Sequence, residues 1–271
     1  MDQSKLKFED SEINVHHQGA HLSSWLYQGK EQLFVSSEAV YQPSKAIRGG
    51  VPICFPQFGA FGPGQSHGFA RNVVWQKLET EQANMLRFEL NHNQESLAKW
   101  PYKFKAIFDV LIKDNALTMS LKVKNLNNKI IDFTAALHTY FKVDAIEKTA
   151  VEGLQSCEFW DNGTAFDQRQ NQQENSLTFN QMIDRVYFNT ANSNKPLSLI
   201  DGDSTRHIES QGFADTVIWN PWQEGAIAFA DMADDEYQQM LCIEPANVQT
   251  PIHLEPGEDW QGQQKVTVIN A

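Results

Sequence analysis

Alternation with a period of two, repeated on both sides of a tight turn, constrains this chain most. From Tyr102 to Ile112 the residues Tyr102, Phe104, Ala106, Phe108, Val110 and Ile112 alternate with Lys103, Lys105, Ile107, Asp109 and Leu111. After the turn pair Asp114-Asn115, Leu117, Met119, Leu121 and Val123 alternate with Thr118, Ser120, Lys122 and Lys124. Successive strand side chains point to opposite faces, so this pattern predicts a hairpin with one packed face and one wet face. A second turn at Asn125–Asn128 leads to a further strand over Ile130–Val143. There Ile131, Phe133, Ala135, Leu137, Thr139 and Phe141 share one face, and Asp132, Thr134, Ala136, His138, Tyr140 and Lys142 share the other.

Helical signals are short: one turn at Ser96–Trp100 and one at Met232–Tyr237, neither with a sustained stripe of period 3.6. The Asn- and Gln-rich segment Asn162–Gln181 reads as a loop region without the length or composition of a domain linker. No internal repeat is present. A chain of 271 residues is long enough to bury a large core. The expectation is an all-β fold, mostly antiparallel with few short helices, as one domain over residues 1–271.

The segment Ala46–Trp75, AIRGGVPICFPQFGAFGPGQSHGFARNVVW, sets Arg48, His67 and Arg71 among glycines and prolines. Those breakers place the arginines on tight loops. The planar guanidinium offers two parallel donors, which suits a carboxylate or a phosphate, and neighbouring glycines allow the backbone close to a ligand. The formal net charge is −12. Such a charge opposes non-specific nucleic-acid binding and repels an anion at long range, so an anion site here must depend on local arginines. Together these point to a small anionic ligand.

Three further residues are candidates for chemistry. His138 lies on the polar face of its strand, where a sugar would sit, although from this strand alone a surface or hydrogen-bonded sheet histidine is the better explanation. Glu244 ends the apolar run Gln238–Ile243 just before Pro245, which predicts an extended, partly desolvated carboxylate at a strand end, held by backbone donors; a turn-stabilising acid is the alternative. Asp184, in MIDRVY, follows a loop, with an ion pair to Arg185 or an Asx-turn as its simpler explanation. The Trp219-Asn220-Pro221-Trp222 cluster suits either a sugar-stacking platform or a rigid packed loop.

Other features carry less. His16, His17 and His21 lack a partner at metal-ligand spacing and read as a polar strand face, and His253 with Glu255 forms no zinc motif. Cys54, Cys157 and Cys242 are odd in number and form no CxxC pair, which predicts reduced thiols and a cytoplasmic protein. The start MDQSKLKFED has no apolar leader, no run is long enough to cross a bilayer, and the Asn162-Gly163-Thr164 acceptor pattern is given no weight. Membrane and nucleic-acid partners are therefore not expected. A monomer is, because no exposed apolar helix face appears.

In order along the chain, IRGGVPICFPQFG, HGFAR, ALHTYF, DRVY, VIWNPW and CIEPAN resemble the glucose-6-phosphate 1-epimerases, hexose-6-phosphate mutarotases of the aldose 1-epimerase superfamily. The resemblance runs from about Ala46 to Trp260. It implies a galactose-mutarotase-like β-supersandwich and interconversion of the α and β anomers of hexose 6-phosphates, glucose 6-phosphate foremost. By the same resemblance His138 and Glu244 are the catalytic pair, Arg48 and Arg71 hold the sugar phosphate, His67 contacts the ring or a hydroxyl, and Asp184 binds substrate. Ser66 stands where the family often has glutamine.

Exchange of anomers passes through the open-chain aldehyde, with a base at the C1 hydroxyl and an acid at the ring oxygen. No redox or group transfer occurs, so neither a cofactor nor a metal is expected. The expectation at this stage is Glu244 as base and His138, as imidazolium, as acid. The alternatives are a mutarotase of unphosphorylated aldoses and a non-catalytic sugar-phosphate-binding protein.

Overall fold

In the computed structural model, which describes residues 1–162, 165–190 and 196–270, the alternating segments pair into three sheets of four, eight and nine strands. The hairpin forms as expected, Phe104–Lys113 against Ala116–Asn125, with strict register from Phe104 opposite Asn125 to Lys113 opposite Ala116. Asp114 takes the left-handed conformation (φ 53°) that closes the turn. Phe104, Phe108, Val110, Leu117, Met119 and Leu121 are all fully buried.

The hairpin lies in the nine-stranded sheet, whose apolar face meets one face of the eight-stranded sheet in a single buried cluster. The eight-stranded sheet runs, in spatial order, through Ala165–Asn171, Glu158–Asp161, Ile183–Tyr187, Asp215–Asn220, Met240–Leu254, Ile131–Leu137 and Ile53–Cys54, with Tyr140–Lys142 paired to Met240–Leu254 as its eighth strand. Its other face carries a smaller cluster of Cys54, Phe58, Ala136, Val186, Val217 and Ala246. The four-stranded sheet, Gln3–Glu31 in four consecutive strands, is a meander.

Several expectations are corrected. The strand over Ile130–Val143 is two strands, Ile131–Leu137 and Tyr140–Lys142. At the break, Thr139 N–H turns back to the Leu137 carbonyl (2.8 Å), while His138 N–H and Tyr140 N–H donate to the Pro52 and Gly50 carbonyls. Behind it the buried Gln264 joins the two sheets: it accepts from Thr139 Oγ1 (2.6 Å) and donates to the Ile243 carbonyl (3.0 Å). The run ending in Glu244 does not stop at Pro245. It continues as one strand to Leu254, because proline costs the ladder a donor but its fixed φ is compatible with extended chain. Part of the Asn/Gln-rich region is also paired, as Ala165–Asn171 and Ser176–Thr178, since cross-strand neighbours override a composition that reads as loop. Gly163 and Thr164 of the acceptor pattern lie outside the described residues.

The first expected helical turn is a helix, Gln94–Lys99, capped by Asn93, whose Oδ1 accepts from Ser96 N–H (2.8 Å) while Ser96 Oγ accepts from Asn93 N–H (2.8 Å). The second lies further on, as a 3₁₀ turn at Glu236–Gln239. A short helix at Trp222–Ala228 has no sequence signature, because seven residues with an internal glycine show no period.

The turn after the hairpin is held from inside. Asn125 is fully buried and its Nδ2 donates to the carbonyls of Lys129, Leu254 and Glu255 (2.9–3.1 Å). Asn125→Ala takes this donor away from the three carbonyls. A loss of about 2–3 kcal/mol in unfolding free energy is expected, read from urea midpoints at unchanged m-value.

Candidate active site

Register builds the site. Tyr140 pairs with Cys242 and Ala136 with Ala246, so the same register puts His138 directly across from Glu244. Residues two apart on a strand share a face. Continuing across the sheet, Glu244 pairs with Val217 and Val217 with Val186; one row along, Tyr140, Cys242, Trp219 and Asp184 are neighbours in turn. His138, Glu244, Val217 and Val186 of the first row and Tyr140, Trp219 and Asp184 of the second are the floor of a cleft of about 500 Å³, while Cys242 is buried in the main core beneath it. Loops holding Arg48, His67 and Arg71 form its walls, so all six expected site residues line this one cleft.

His138 Nδ1 and Glu244 Oε1 are 3.2 Å apart, at an angle that does not make a hydrogen bond, and Glu244 Oε2 is buried without a partner. The expectation that backbone donors hold Glu244 is therefore overturned. The His138 ring lies parallel to Tyr140 (centroids 4.8 Å, 10°) and edge-on to Trp219 (5.9 Å). Glu244 and His138 are 1% and 9% exposed. Burial, reinforced by Asp184 and opposed by Arg71, raises the Glu244 carboxyl well above the usual carboxylate range. Burial, then His67, Arg71 and Arg48, lowers His138 well below the usual imidazole range. Both shifts act toward a carboxyl beside a neutral imidazole, a pair sharing one proton, because desolvation penalises each charge.

His67 takes a left-handed backbone (φ 60°) followed by Gly68 (φ 68°). A side chain at Gly68 would put its Cβ 2.1 Å from the Phe55 carbonyl oxygen, and one at Gly50 would lie 2.3 Å from that of Leu22. These glycines therefore serve close approach between chain segments, not to a ligand as the sequence suggested. His67 Nδ1 accepts from Gly59 N–H (3.3 Å) and lies 3.2 Å from Cys54 Sγ, so the ring's own proton sits on Nε2. Burial and the two arginines push its pKa down to about 3, which makes it a neutral donor.

The arginines differ. Arg48 is engaged: Nε and Nη2 reach Asp231 Oδ1 (3.1 and 3.0 Å), Nη1 reaches the Tyr140 hydroxyl (3.4 Å), and the guanidinium lies 4.2 Å above the Phe229 ring. Arg71, on a single 3₁₀ turn at Ala70–Asn72, makes a long bond to the Ser66 carbonyl (3.4 Å) and leaves Nε without a partner. Asp184 accepts from Asn162 Nδ2 (2.7 Å) in the middle of Ile183–Tyr187, and Arg185 pairs instead with Asp161 (2.9 Å); neither simpler explanation of Asp184 holds. Burial and then Asp161 raise the Asp184 carboxyl.

The tryptophan cluster divides. Trp219 lines the cleft, whereas Trp222 packs on Tyr237 (5.2 Å). Tyr140 was visible as a face-mate of His138; Phe229, Asp231 and Asn162 carried no signal, because loop residues distant in sequence reach the cleft only through the fold. Of the clustered histidines, His21 is fully buried, and burial pushes its pKa down to about 3, so it belongs to packing and not to a polar face. His253 pairs with Asp132 in the open, and no helix among the described residues is long and apolar enough to cross a membrane.

The chain matches the aldose 1-epimerase family over residues 2–267. It is 36% identical over 266 residues to a Cenchrus ciliaris protein and 35% identical over 244 residues to an Escherichia coli protein, both named "Putative glucose-6-phosphate 1-epimerase". Those alignments cover 93% and 84% of this chain and 79% and 77% of the relatives. The crystal structure of a Salmonella typhimurium "putative mutarotase" superposes with a TM-score of 0.87 at 28% identity, over 99% of this chain and 94% of that one. A galactose mutarotase-like protein of Lactobacillus casei shares the fold at 16% identity (TM-score 0.78, 98% and 100% covered). With sheets, register and cleft in place and a family match over nearly its whole length, the chain belongs to the aldose 1-epimerase family.

Proposed function

We propose that this protein interconverts the α and β anomers of hexose 6-phosphates, glucose 6-phosphate foremost, with His138 and Glu244 as the proton-exchanging pair. The observation that carries this reading is the cross-strand placement of those two side chains, 3.2 Å apart on the floor of a cleft walled by two arginines. The names of the relatives support the same substrate class.

The residues divide the work as follows. Arg71, with Arg48 beside it, holds the phosphate at C6, so the far end stays fixed while C1 turns. A bound dianion offsets the arginine charges that depress His138, which favours transfer of the shared proton from Glu244 to His138. Glu244, now carboxylate, takes the C1 hydroxyl proton as His138 protonates the ring oxygen, and the C1–ring-oxygen bond breaks to give the aldehyde. Rotation about C1–C2 presents the other carbonyl face. Ring closure then reverses the proton transfers and restores the pair. His67 Nε2–H and Asp184 are a donor and an acceptor for the sugar hydroxyls, and the Trp219 face suits the sugar's C–H surface.

Magnetisation-transfer NMR on glucose 6-phosphate and glucose tests the reading. Exchange of the phosphorylated sugar is expected to accelerate strongly at micromolar protein, and glucose much less. Equal acceleration of both overturns the substrate class, and binding without acceleration overturns the activity.

The pH profile follows from the shared proton. A second proton, on His138, inactivates the pair only below the ordinary imidazole range, because that group is lowered. Loss of the single proton inactivates it only above the ordinary carboxylate range, because Glu244 is raised. A kcat/KM profile with its acid limb below and its alkaline limb above those two ranges is expected, the limbs belonging to the pair as a whole.

A further inference from the structure

We propose that His138 and Glu244 on the floor of the cleft, with Cys242 buried beside them, bind a thiophilic divalent cation, Zn²⁺ in the first instance, and that the ion excludes catalysis. The proton-transfer scheme gives Cys242 no task, yet the strand places it on the same face as Glu244 and one register step from His138. A ring nitrogen, the thiol sulfur and a carboxylate oxygen from the three residues all lie within 4.8 Å of one another. All three side chains are buried, and among the described residues His138 Nδ1 and the second Glu244 oxygen, Oε2, have no hydrogen-bond partner. Buried polar atoms left without partners are uncommon and mark a place where something else can bind.

The donor set selects the ion. Imidazole, thiolate and carboxylate are zinc ligands at about 2.0–2.3 Å, which in a tetrahedron separates the donors by roughly 3.4–3.6 Å. The His138–Glu244 separation of 3.2 Å is already close to this. Within the 4.8 Å limit, sulfur must approach by at most about 1.4 Å, shared among rotations of the three side chains. A thiolate ligand discriminates against Mg²⁺ and Ca²⁺, which prefer all-oxygen sets. Arg48 and Arg71 oppose a bare cation, but binding releases the Cys242 thiol proton and the Glu244 carboxyl proton to solvent, and the resulting thiolate and carboxylate together neutralise a divalent charge. Three protein ligands leave a fourth position open to the cleft for water or a sugar oxygen. With its lone pairs on the metal, the pair can no longer exchange protons with C1 and the ring oxygen. That consequence rests on the roles proposed above; binding of the ion does not.

Co²⁺ is the spectroscopic probe. Chelator-treated protein titrated with Co²⁺ is expected to give a one-to-one near-ultraviolet thiolate charge-transfer band and visible bands of tetrahedral intensity. Zn²⁺ is expected to bleach both. Cys242→Ala, or the nearly isosteric Cys242→Ser if the alanine cavity unfolds the sheet, loses the band, while Cys157→Ala retains it. In parallel, saturating Zn²⁺ slows exchange of glucose 6-phosphate at least tenfold, a chelator restores it, and the Cys242 variant needs at least tenfold more Zn²⁺ for the same effect. Absence of the band, or a band that follows Cys157, overturns the site. A Cys242-dependent band with undiminished exchange leaves the metal site standing and overturns the catalytic roles of His138 and Glu244.

Discussion

Glu244→Gln is expected to lower kcat for anomer exchange by about 10²–10⁴-fold while leaving KM within a small factor, the range a positioned acid–base group supplies. Glutamine keeps the shape of the side chain in a site where only 1% of it is exposed, but it cannot take up or release the shared proton. A second readout separates this from simple damage. Folding raises the Glu244 carboxyl above its ordinary value, with burial as the first cause. Such a group favours the folded state at low pH, and that contribution is lost as pH rises through the raised value. The variant lacks this loss, so its stability relative to the parent is expected to improve as pH is increased from the carboxylate range upward, seen in denaturant midpoints across pH. Full turnover in the variant would remove Glu244 from the mechanism; lost turnover with a stability difference that falls as pH rises would show disrupted packing instead.

Arg71→Ala is expected to reduce kcat/KM for glucose 6-phosphate by about 10–150-fold, almost all of it in KM, with exchange of unphosphorylated glucose unchanged. The figure follows from a charge-assisted hydrogen bond at about 1.5–3 kcal/mol and about 1.4 kcal/mol per factor of ten. Arg71 is the sharper test of the two because Arg48 already faces Asp231, whereas Arg71 has, among the described residues, only a carbonyl at 3.4 Å. Competitive inhibition by inorganic phosphate should weaken in parallel. Arg71 also stands, after burial and His67, among the causes that depress His138, so the acid limb of the kcat/KM profile should move upward in the variant. Equal loss for glucose and glucose 6-phosphate would mean that Arg71 shapes the loop and does not hold the phosphate.

The elements that were readable in advance share a property. The hairpin Phe104–Asn125 has one face in the core and one in water, so its amino-acid pattern reports its geometry residue by residue. His138 was readable for the same reason: parity along its strand put it on the face of Tyr140. Strands buried on both faces lose that signal. In Met240–Ala246 every residue is buried, and the continuation of the strand through Pro245 was not visible. The strands at Ala165–Asn171 and Ser176–Thr178 were hidden in the opposite way, by polar composition at the edges of two sheets.

Motifs and parity in the chain alone determined an antiparallel β architecture, its family, and the identity of six residues in the cleft, because period-two burial and short loop motifs are local properties. Only the tertiary structure decided the rest. It set the register that places His138 across from Glu244, engaged Arg48 with Asp231 and left Arg71 nearly free, and brought Phe229, Asn162 and Cys242 to the site. It also set the directions in which the proton affinities of His138 and Glu244 shift. The proton affinity of a carboxyl or an imidazole depends on the water it loses and the charges it meets, and both come from segments far away along the chain.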